Sequence, residues 1–469
     1  MRAIVDEHCL PGIAGGIEGS LELLVEQADA SLFVVHGDDD RDHVWSLGRR
    51  GQVAAAGDRL VMTAVAYGPM GPSQGKLVSM EEAQRLVLDR VGRLPVETVP
   101  VGEATGRVLA EPGRAAVDLP PFDSSAMDGF ALRAVDTPGT LPVAIRIAAG
   151  SPAPRALEPG EAMGIATGGV VPAGADAVLP LEYVADHGKT IQSEEPVPPG
   201  TNIRGAGGDV RAGEVVVAAG MRLGASQVAA LAAAGLADVS AFQRPRAAVL
   251  ATGSELRRPG EPLEPGQIYE ANGLLLAAQL ESAGAVVEQL DSVADDEDAH
   301  REALARGLEA HVLVTSGGVS VGPHDLVRKI AAELGVEEVF WGVSIKPGKP
   351  ISFGVRAGGL MFGLPGNPVS VLVGFELFVR PAVLALQGVA DPLPSFEQGR
   401  LSSSVKPNPG RDELLRARLS ADGAGPVLEP LAGRESHMIV RAAAANALVL
   451  VRRGSEELAE GELVEFLRI

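Results

Sequence analysis

The sequence predicts a multidomain protein of α/β plus β class, and three stretches carry that expectation. In residues 244–389 short apolar runs that end in glycine or polar loops alternate with segments of helical period. Residues 118–217 are rich in Gly and Pro, with short apolar runs between turns, which reads as a β-rich domain. From residue 390 on, short strand-like runs return. Alternating strands and helices with connections of this length imply right-handed crossovers and a doubly wound sheet. A chain of 469 residues has room for three or four domains.

Residues 1–76 stand apart, with a possible helix over 20–28, an apolar run over 32–35 and a Gly/Pro/Ser linker at 68–75. Their HGDDDRDH cluster (His36, Asp38, Asp39, Asp40, Asp42, His43) has metal-ligand residue types, but a run of acids in a loop is ordinarily solvated. No function attaches to this segment. Ser79 then opens a capping box with Glu82 in the reciprocal position, and Ala83, Val87 and Val91 line one helix face up to Gly92. The β-rich stretch carries three polar clusters: PPFDSSAMDGFAL with Asp123, Ser124, Ser125 and Asp128; IATGGVVPAGADAVLPLE with Thr167 and Asp176; NIRGAGGDV with Arg204 and Asp209. Taken singly, each is explained as a turn.

An alanine-rich helix at 224–235 precedes the alternating region, in which 247–251 is a strand running into TGSEL, 273–283 a helix, 285–290 a strand and 297–308 a helix. The central stretch is HVLVTSGGVSVGPHDLVRKIAAELG, residues 311–335. Val312, Leu313 and Val314 form a buried strand, and Thr315, Ser316, Gly317 and Gly318 end it. Pro323 suits a first helical position, Leu326, Ile330 and Leu334 share a face, and Gly335 caps the helix. In an open α/β sheet, ligands collect beyond the carboxyl ends of strands, where Ser316, Ser320 and Asp325 would sit. Most such glycine turns bind nothing, so the neighbouring loops decide.

Glu255, Asp295 and Asp325 follow three successive strands, and several acids at one edge can hold a divalent cation. Helix capping is the competing reading, equally strong for Asp295. WGVSIKPGKPISFGV sets Lys346 and Lys349 around a Pro-Gly turn as the basic counterweight. In LPGNPVS, Asn367 is a good N-cap and Pro368 a good first residue, so free N–H groups near Ser370 are expected to make an anion-ready helix start. After residue 393 the short runs, a turn at 421–425 and the final LVEFLRI indicate a closed or half-closed β-barrel, with Arg411, Arg416 and Ser436 its notable polar residues. Arginines on such surfaces are usually solvated.

Composition excludes several partners. With 40 basic against 61 acidic residues the net charge is −21, which repels polyanions, and 3% aromatic content offers little base-stacking surface, so neither nucleic acid nor an anionic membrane is expected as a partner. Cys9 is the single cysteine, so no intrachain disulfide and no cysteine-based metal centre can form, which fits a reducing cytoplasm. No signal-peptide core or uninterrupted membrane-spanning apolar run is present.

The ordered set PPFDSSAMDGFAL, ATGGVVPAGADAV, TGSELRRPGEPL, TSGGVSVGPHD, IKPGKP and LPGNPVS resembles the MoeA-type molybdopterin molybdenumtransferases, a family that includes the gephyrin E domain. The resemblance spans residues 77–469. It implies a linker domain (77–117 and 218–243), a β-rich domain inserted in it (118–217), an α/β domain (244–389) like the molybdopterin adenylyltransferases, and a C-terminal barrel (390–469). It also implies a homodimer whose composite active site joins one subunit's inserted domain to the other's α/β domain, and transfer of molybdenum from molybdate onto adenylated molybdopterin, with Mg²⁺ required and AMP released. Matched motif by motif, the functional residues fall on Asp128, Thr167, Asp209, Glu255, Asp295 and Asp325, with Glu255 and Asp325 holding Mg²⁺. The molybdate and pterin-phosphate groups fall on Ser316, Gly317, Gly318, Ser320, Lys346, Lys349, Pro365, Pro368, Ser370, Arg411 and Ser436. Two departures stand out: Ser254 where the family often has aspartate, and Glu270 in place of an aspartate, one methylene longer and so expected to shift Mg²⁺ geometry. The competing functions are molybdopterin adenylyltransferase, since the α/β domain is shared, and a non-catalytic scaffold on the same fold. Contact with a molybdopterin adenylyltransferase is a further expectation.

Overall fold

The computed structural model describes residues 21–24, 33–38, 41–46 and 77–469, apart from 149, 295, 319–325 and 455. The chain divides into two compact units, 1–76 and 77–469. In the first, strands Leu21–Leu24, Phe33–Asp38 and Arg41–Ser46 form an antiparallel sheet. The strand at Leu21–Leu24 replaces the helix expected over 20–28, because its four residues pair in register with His36 back to Phe33 and cross-strand pairing overrides the local helical pattern. The acid run lies at the hairpin, with Asp38 opposite Arg41, while Asp39 and Asp40 fall outside the described residues.

The second unit begins with α1 (Met80–Leu88), whose Ser79 cap accepts from Glu82 N at 3.1 Å and whose Met80, Ala83 and Val87 are buried. Only half of the expected box forms: the Glu82 carboxylate accepts from Arg85 instead. Strands Val96–Pro100 and Asp238–Phe242 pair antiparallel, and with α2 (Ala225–Ala233) they enclose a small core of Val99, Leu109, Leu231 and Val239. Segments on either side of the β-rich stretch thus fold together. That stretch forms a six-stranded sheet in the order Ala177–Pro180, Gly129–Leu132, Ala162–Ile165, Gly139–Arg146, Thr190–Ser193, Ala185–Asp186, over a core of Phe130, Leu132 and Ile191.

The α/β sheet comprises β1 (Arg246–Ala251), β2 (Val286–Gln289), β3 (Val312–Ser316), β4 (Glu337–Trp341), β5 (Ser352–Arg356) and β6 (Gly359–Leu364), in the order β2-β1-β3-β6-β5-β4. The first four in that order are parallel; β5 and β4 extend the sheet antiparallel. Helices α3 (Asn272–Ser282), α6 (Pro368–Gly374) and α7 (Arg380–Leu386) bury one face, and α4 (Glu297–Gly307) and α5 (Leu326–Glu333) bury the other, so the sheet is doubly wound. Because β2 and β3 flank β1 on opposite sides, the crevice that binds ligands in such sheets falls at the carboxyl ends of β1 and β3. A π-helical turn, Phe375–Val379, joins α6 to α7. The 19-residue span Pro368–Leu386 is long and apolar enough to cross a bilayer, yet 78% of the window is buried against the sheet as a core helix. Its charged Glu376 and Arg380 pair with each other.

Five strands close the C-terminal barrel: β7 (Glu397–Leu401), β8 (Asp412–Asp422), β9 (Gly425–Pro430), β10 (Ala447–Val451) and β11 (Leu463–Arg468), running β8-β9-β7-β11-β10 and back to β8. The short strand Ile345–Lys346 pairs with the start of β8 and stitches an α/β loop to the barrel rim. Phe362 is fully buried in β6 with its ring 4.9 Å from that of Phe353. Phe362→Ala should cost about 3–5 kcal/mol of stability, read as a lowered denaturation midpoint of the α/β domain by tryptophan fluorescence, since Trp341 lies in the same sheet.

Candidate active site

Three loops meet at the carboxyl edge of the sheet. Thr252, just past β1, donates its N–H to Ser316 O (2.9 Å) at the end of β3, and Gly317 N donates to Leu364 O (3.0 Å) at the end of β6. Gly317 and Gly318 lie at φ +91 and +64. A Cβ on Gly317 would stand 2.6 Å from Thr252 O, and one on Gly318 2.6 Å from Val327 Cγ2 on α5, so both glycines are required sterically as well as conformationally. Ser316, Gly317, Gly318 and Pro365 are therefore neighbours, with Ser316 Oγ 3.5 Å from Pro365 O. The group that ties the loops was not singled out from sequence. Asn272, the first residue of α3, donates Nδ2 both to Ser316 Oγ (2.8 Å) and to Gly366 O (2.7 Å). Its signal was a polar amide at a predicted helix start; what it reaches depends on two distant loops.

On the acid side, Glu255 is exposed, with its carboxylate folded over Gly253, where a Cβ would meet Oε2 at 2.5 Å. Glu270 accepts from Gly273 N at 2.6 Å, so the longer side chain caps α3, a use that the expectation of altered metal geometry did not include. Asp295, Ser320 and Asp325 lie outside the described residues, and Asp296 is the N-cap of α4. Among the described residues no three His, Cys, Asp or Glu side chains gather as a metal cluster.

The basic side lies against the barrel. Lys346 Nζ is 3.0 Å from Glu413 Oε1, Arg411 Nη1 donates to Ile345 O at 3.2 Å, and Lys349 is exposed. The α6 start differs from expectation. Pro368 occupies the first position, but the Asn367 side chain makes no capping bond; Ser370 N (2.9 Å) and Val371 N (3.1 Å) donate to Asn367 O, and Val369 N donates to Ser436 O (3.0 Å). The N–H groups near Ser370 are therefore occupied, two by Asn367 O within the helix start and that of Val369 by the barrel loop carrying Ser436. Arg416 fixes that loop. It is buried, not solvated, and donates to the carbonyls of Met438 (2.6 Å), Gly433 and Glu435 (3.4 Å). Residues 364–369 thus run from the acid side, through Gly366, to the barrel side, through Val369.

In the β-rich domain the three polar clusters converge. Ser125 N donates to Gly169 O (2.9 Å) and Gly168 N to Ser125 O (2.8 Å). Ile203–Arg204 pairs with Ser124–Ser125, and Asp209 N donates to Leu119 O (2.9 Å). Asp123 and Asp176 serve turns, accepting from Ala206 N (2.8 Å) and Ala134 N (2.6 Å). Asp128 Oδ1 accepts from Thr167 N (2.7 Å) and Thr167 Oγ1 (3.0 Å), and these bonds hold its carboxyl below the usual aspartate range. Among the described residues no hydrogen bond or ion pair joins this exposed cluster to Glu255 or Lys346 of the same chain.

A doubly wound sheet with a glycine-lined edge, a lysine turn backed by a closed barrel and a β-rich domain carrying the Asp128–Thr167 pair define the class: a multidomain α/β plus β protein. Comparison with known proteins makes it specific. Residues 78–235 match the MoeA N-terminal region (domain I and II), 248–385 the "probable molybdopterin binding domain", and 398–469 the MoeA C-terminal region (domain IV). Molybdopterin molybdenumtransferase 2 of Mycobacterium tuberculosis is 37% identical over 398 residues, covering 82% of this chain and 97% of its own. Molybdopterin molybdenumtransferase of Staphylococcus aureus is 32% identical over 399 residues, covering 83% and 95%. A crystal structure of the molybdopterin biosynthesis MoeA protein of Pyrococcus horikoshii superposes with TM-score 0.72 at 32% identity, over 84% of this chain and 100% of that one. The chain belongs to the MoeA family of molybdopterin molybdenumtransferases.

Two expectations follow. Thr167→Val removes one bond to Asp128, so the Asp128 carboxyl should rise toward its ordinary value in a ¹³C NMR titration; since its folded value is depressed, the turn's stabilisation holds above the unfolded range and fades as pH falls through the folded one. Asn272→Ala strands Ser316 Oγ and Gly366 O and should cost about 1–3 kcal/mol, read as faster amide exchange in residues 316–318 and 364–367.

Proposed function

We propose that the protein is a molybdenum insertase of molybdenum cofactor biosynthesis, transferring molybdenum from molybdate onto the dithiolene of adenylated molybdopterin with release of AMP. One observation carries the reading: the 364–369 loop is tied at Gly366 to the Asn272–Ser316 junction of the glycine edge and at Val369 to the barrel loop of Ser436, and the same barrel pairs with Ile345–Lys346 of the lysine turn. Molybdate is a tetrahedral dianion and needs fixed cations and hydroxyl donors. Lys346, Lys349 and Arg411 supply the charge, Ser370 and Ser436 the hydroxyls, and Pro365 and Pro368 shape the loop. Ser316, Gly317, Gly318 and Ser320 form the edge that takes the pterin phosphate.

Adenylate release breaks the bond between the AMP phosphorus and the molybdopterin phosphate oxygen as water adds to phosphorus. A carboxylate, Asp325 or Glu255, accepts the water's proton, and AMP and the pterin phosphate leave. Mg²⁺ is commonly held by one or two carboxylates plus substrate phosphates, and exposed Glu255 fits such a donor set; with Asp325 it would hold the ion, which when bound neutralises phosphate charge. Asp295 lies with these acids in the proposal. Asp128, Thr167 and Asp209 complete the site from a second subunit, in keeping with the lack, among the described residues of one chain, of any hydrogen bond or ion pair from them to the lysine turn; the assembly is a homodimer with a composite site. A cytoplasmic location agrees with one cysteine in 469 residues, and a molybdopterin adenylyltransferase is the natural donor of the adenylated substrate.

Purified protein given molybdate, Mg²⁺ and adenylated molybdopterin should yield AMP and active cofactor in step; no AMP above a blank overturns the reading, and product from ATP and molybdopterin would favour the adenylyltransferase instead. Asp325→Asn should lower AMP release by about 10²-fold or more with circular dichroism unchanged, whereas Lys349→Gln should raise the molybdate KM.

A further inference from the structure

Glu413 carries a buried carboxylate to which the reaction above gives no role. Its side chain is 4% exposed, and its ion-pair partner among the described residues is Lys346, which is 39% exposed with Nζ 3.0 Å from Oε1. The backbone sets this pairing: Ile345–Lys346 runs parallel to the start of β8 with Lys346 opposite Glu413, and Arg411 donates to the Ile345 carbonyl beside it. A carboxylate taken out of water is costly unless paired, so Glu413 holds the ammonium at the barrel rim. The Lys346 ammonium is ion-paired with Glu413 on its buried side, and its three N–H donors leave capacity for an anion on its exposed side.

We propose that Glu413 is a positioning residue that also sets how strongly Lys346 holds an oxyanion, keeping the affinity for a dianion low. The inference rests on the reading of Lys346 as an oxyanion-binding group. With an oxygen about 3 Å from Nζ on each side and the ammonium donors about 109° apart, the nearest oxygens of a bound anion and of the carboxylate stand about 5 Å apart. Their repulsion is twice as large for a dianion as for a monoanion. Tight ground-state binding lowers KM without raising kcat, so a site that must pass its metal on gains nothing from a lone ammonium.

The test titrates the full chain calorimetrically with molybdate and with perrhenate, a monoanion of the same tetrahedral shape. A glutamine carbonyl still accepts from Nζ, so Glu413→Gln changes charge and keeps position. It should bind molybdate at least about fivefold tighter and perrhenate with about the square root of that gain. Both gains should shrink in about 0.5 M salt. Glu413→Ala, which also loses the acceptor, should bind more weakly than Glu413→Gln. Equal or weaker molybdate binding by Glu413→Gln overturns the proposal, while the lysine reading stands provided the native chain binds and Lys346→Gln does not. An equal gain for both anions overturns it in favour of a rearrangement. If the native chain binds neither anion, the lysine reading itself fails and takes the proposal with it.

Discussion

At one edge of the parallel sheet the β3 loop at Gly317 approaches the backbone of the β1 loop at Thr252 more closely than a side chain permits, and the rest of the site depends on that steric demand. Gly317 lies so near Thr252 O that a Cβ would push the β1 and β3 loops apart, and Gly318 so near Val327 that a Cβ would push the β3 loop off α5. Asn272 then has both acceptors within reach of a single amide and joins the β3 edge to the loop after β6. Without the close approach, the loop that leads from the sheet to the barrel would have no fixed anchor.

Charge is distributed on that frame in a consistent way. The sheet side presents Glu255 to solvent, while Glu270 is occupied at the start of α3. The barrel side presents Lys349 and a Lys346 whose charge is balanced by a buried carboxylate. Arg416 is buried among carbonyls, and its work is structural: it holds the loop that covers the start of α6. A helix start that seems open in the sequence is therefore filled, the Val369 N–H by the barrel loop and the Ser370 and Val371 N–H groups by Asn367 O.

Much of the architecture was legible beforehand. Strand and helix alternation in the α/β region, the helix capped by Ser79, the β-rich stretch and the barrel all follow from short-range periodicity and turn chemistry, and the folded chain has each of them within a few residues of its expected place. The antiparallel β5 and β4 are less legible, because strand direction depends on which edge a hairpin joins. Within the helix expected over 20–28, Leu21–Leu24 form a strand for a related reason: its partner lies several residues on, and pairing is not a local property. Turns at Asp123, Asp128, Thr167 and Asp209 each looked sufficient alone, yet hydrogen bonds and strand pairing draw them into one cluster.

Residue order by itself determined the class of fold, the positions of the glycines and the family, since these rest on spacing and on ordered motifs that any conformation carries. Only the tertiary structure decided which polar groups remain available. Asn272, Arg416, Glu413 and the Val369 amide found partners well removed in the chain, and a hydrogen bond or ion pair between distant residues exists only once packing has brought them within about 3 Å.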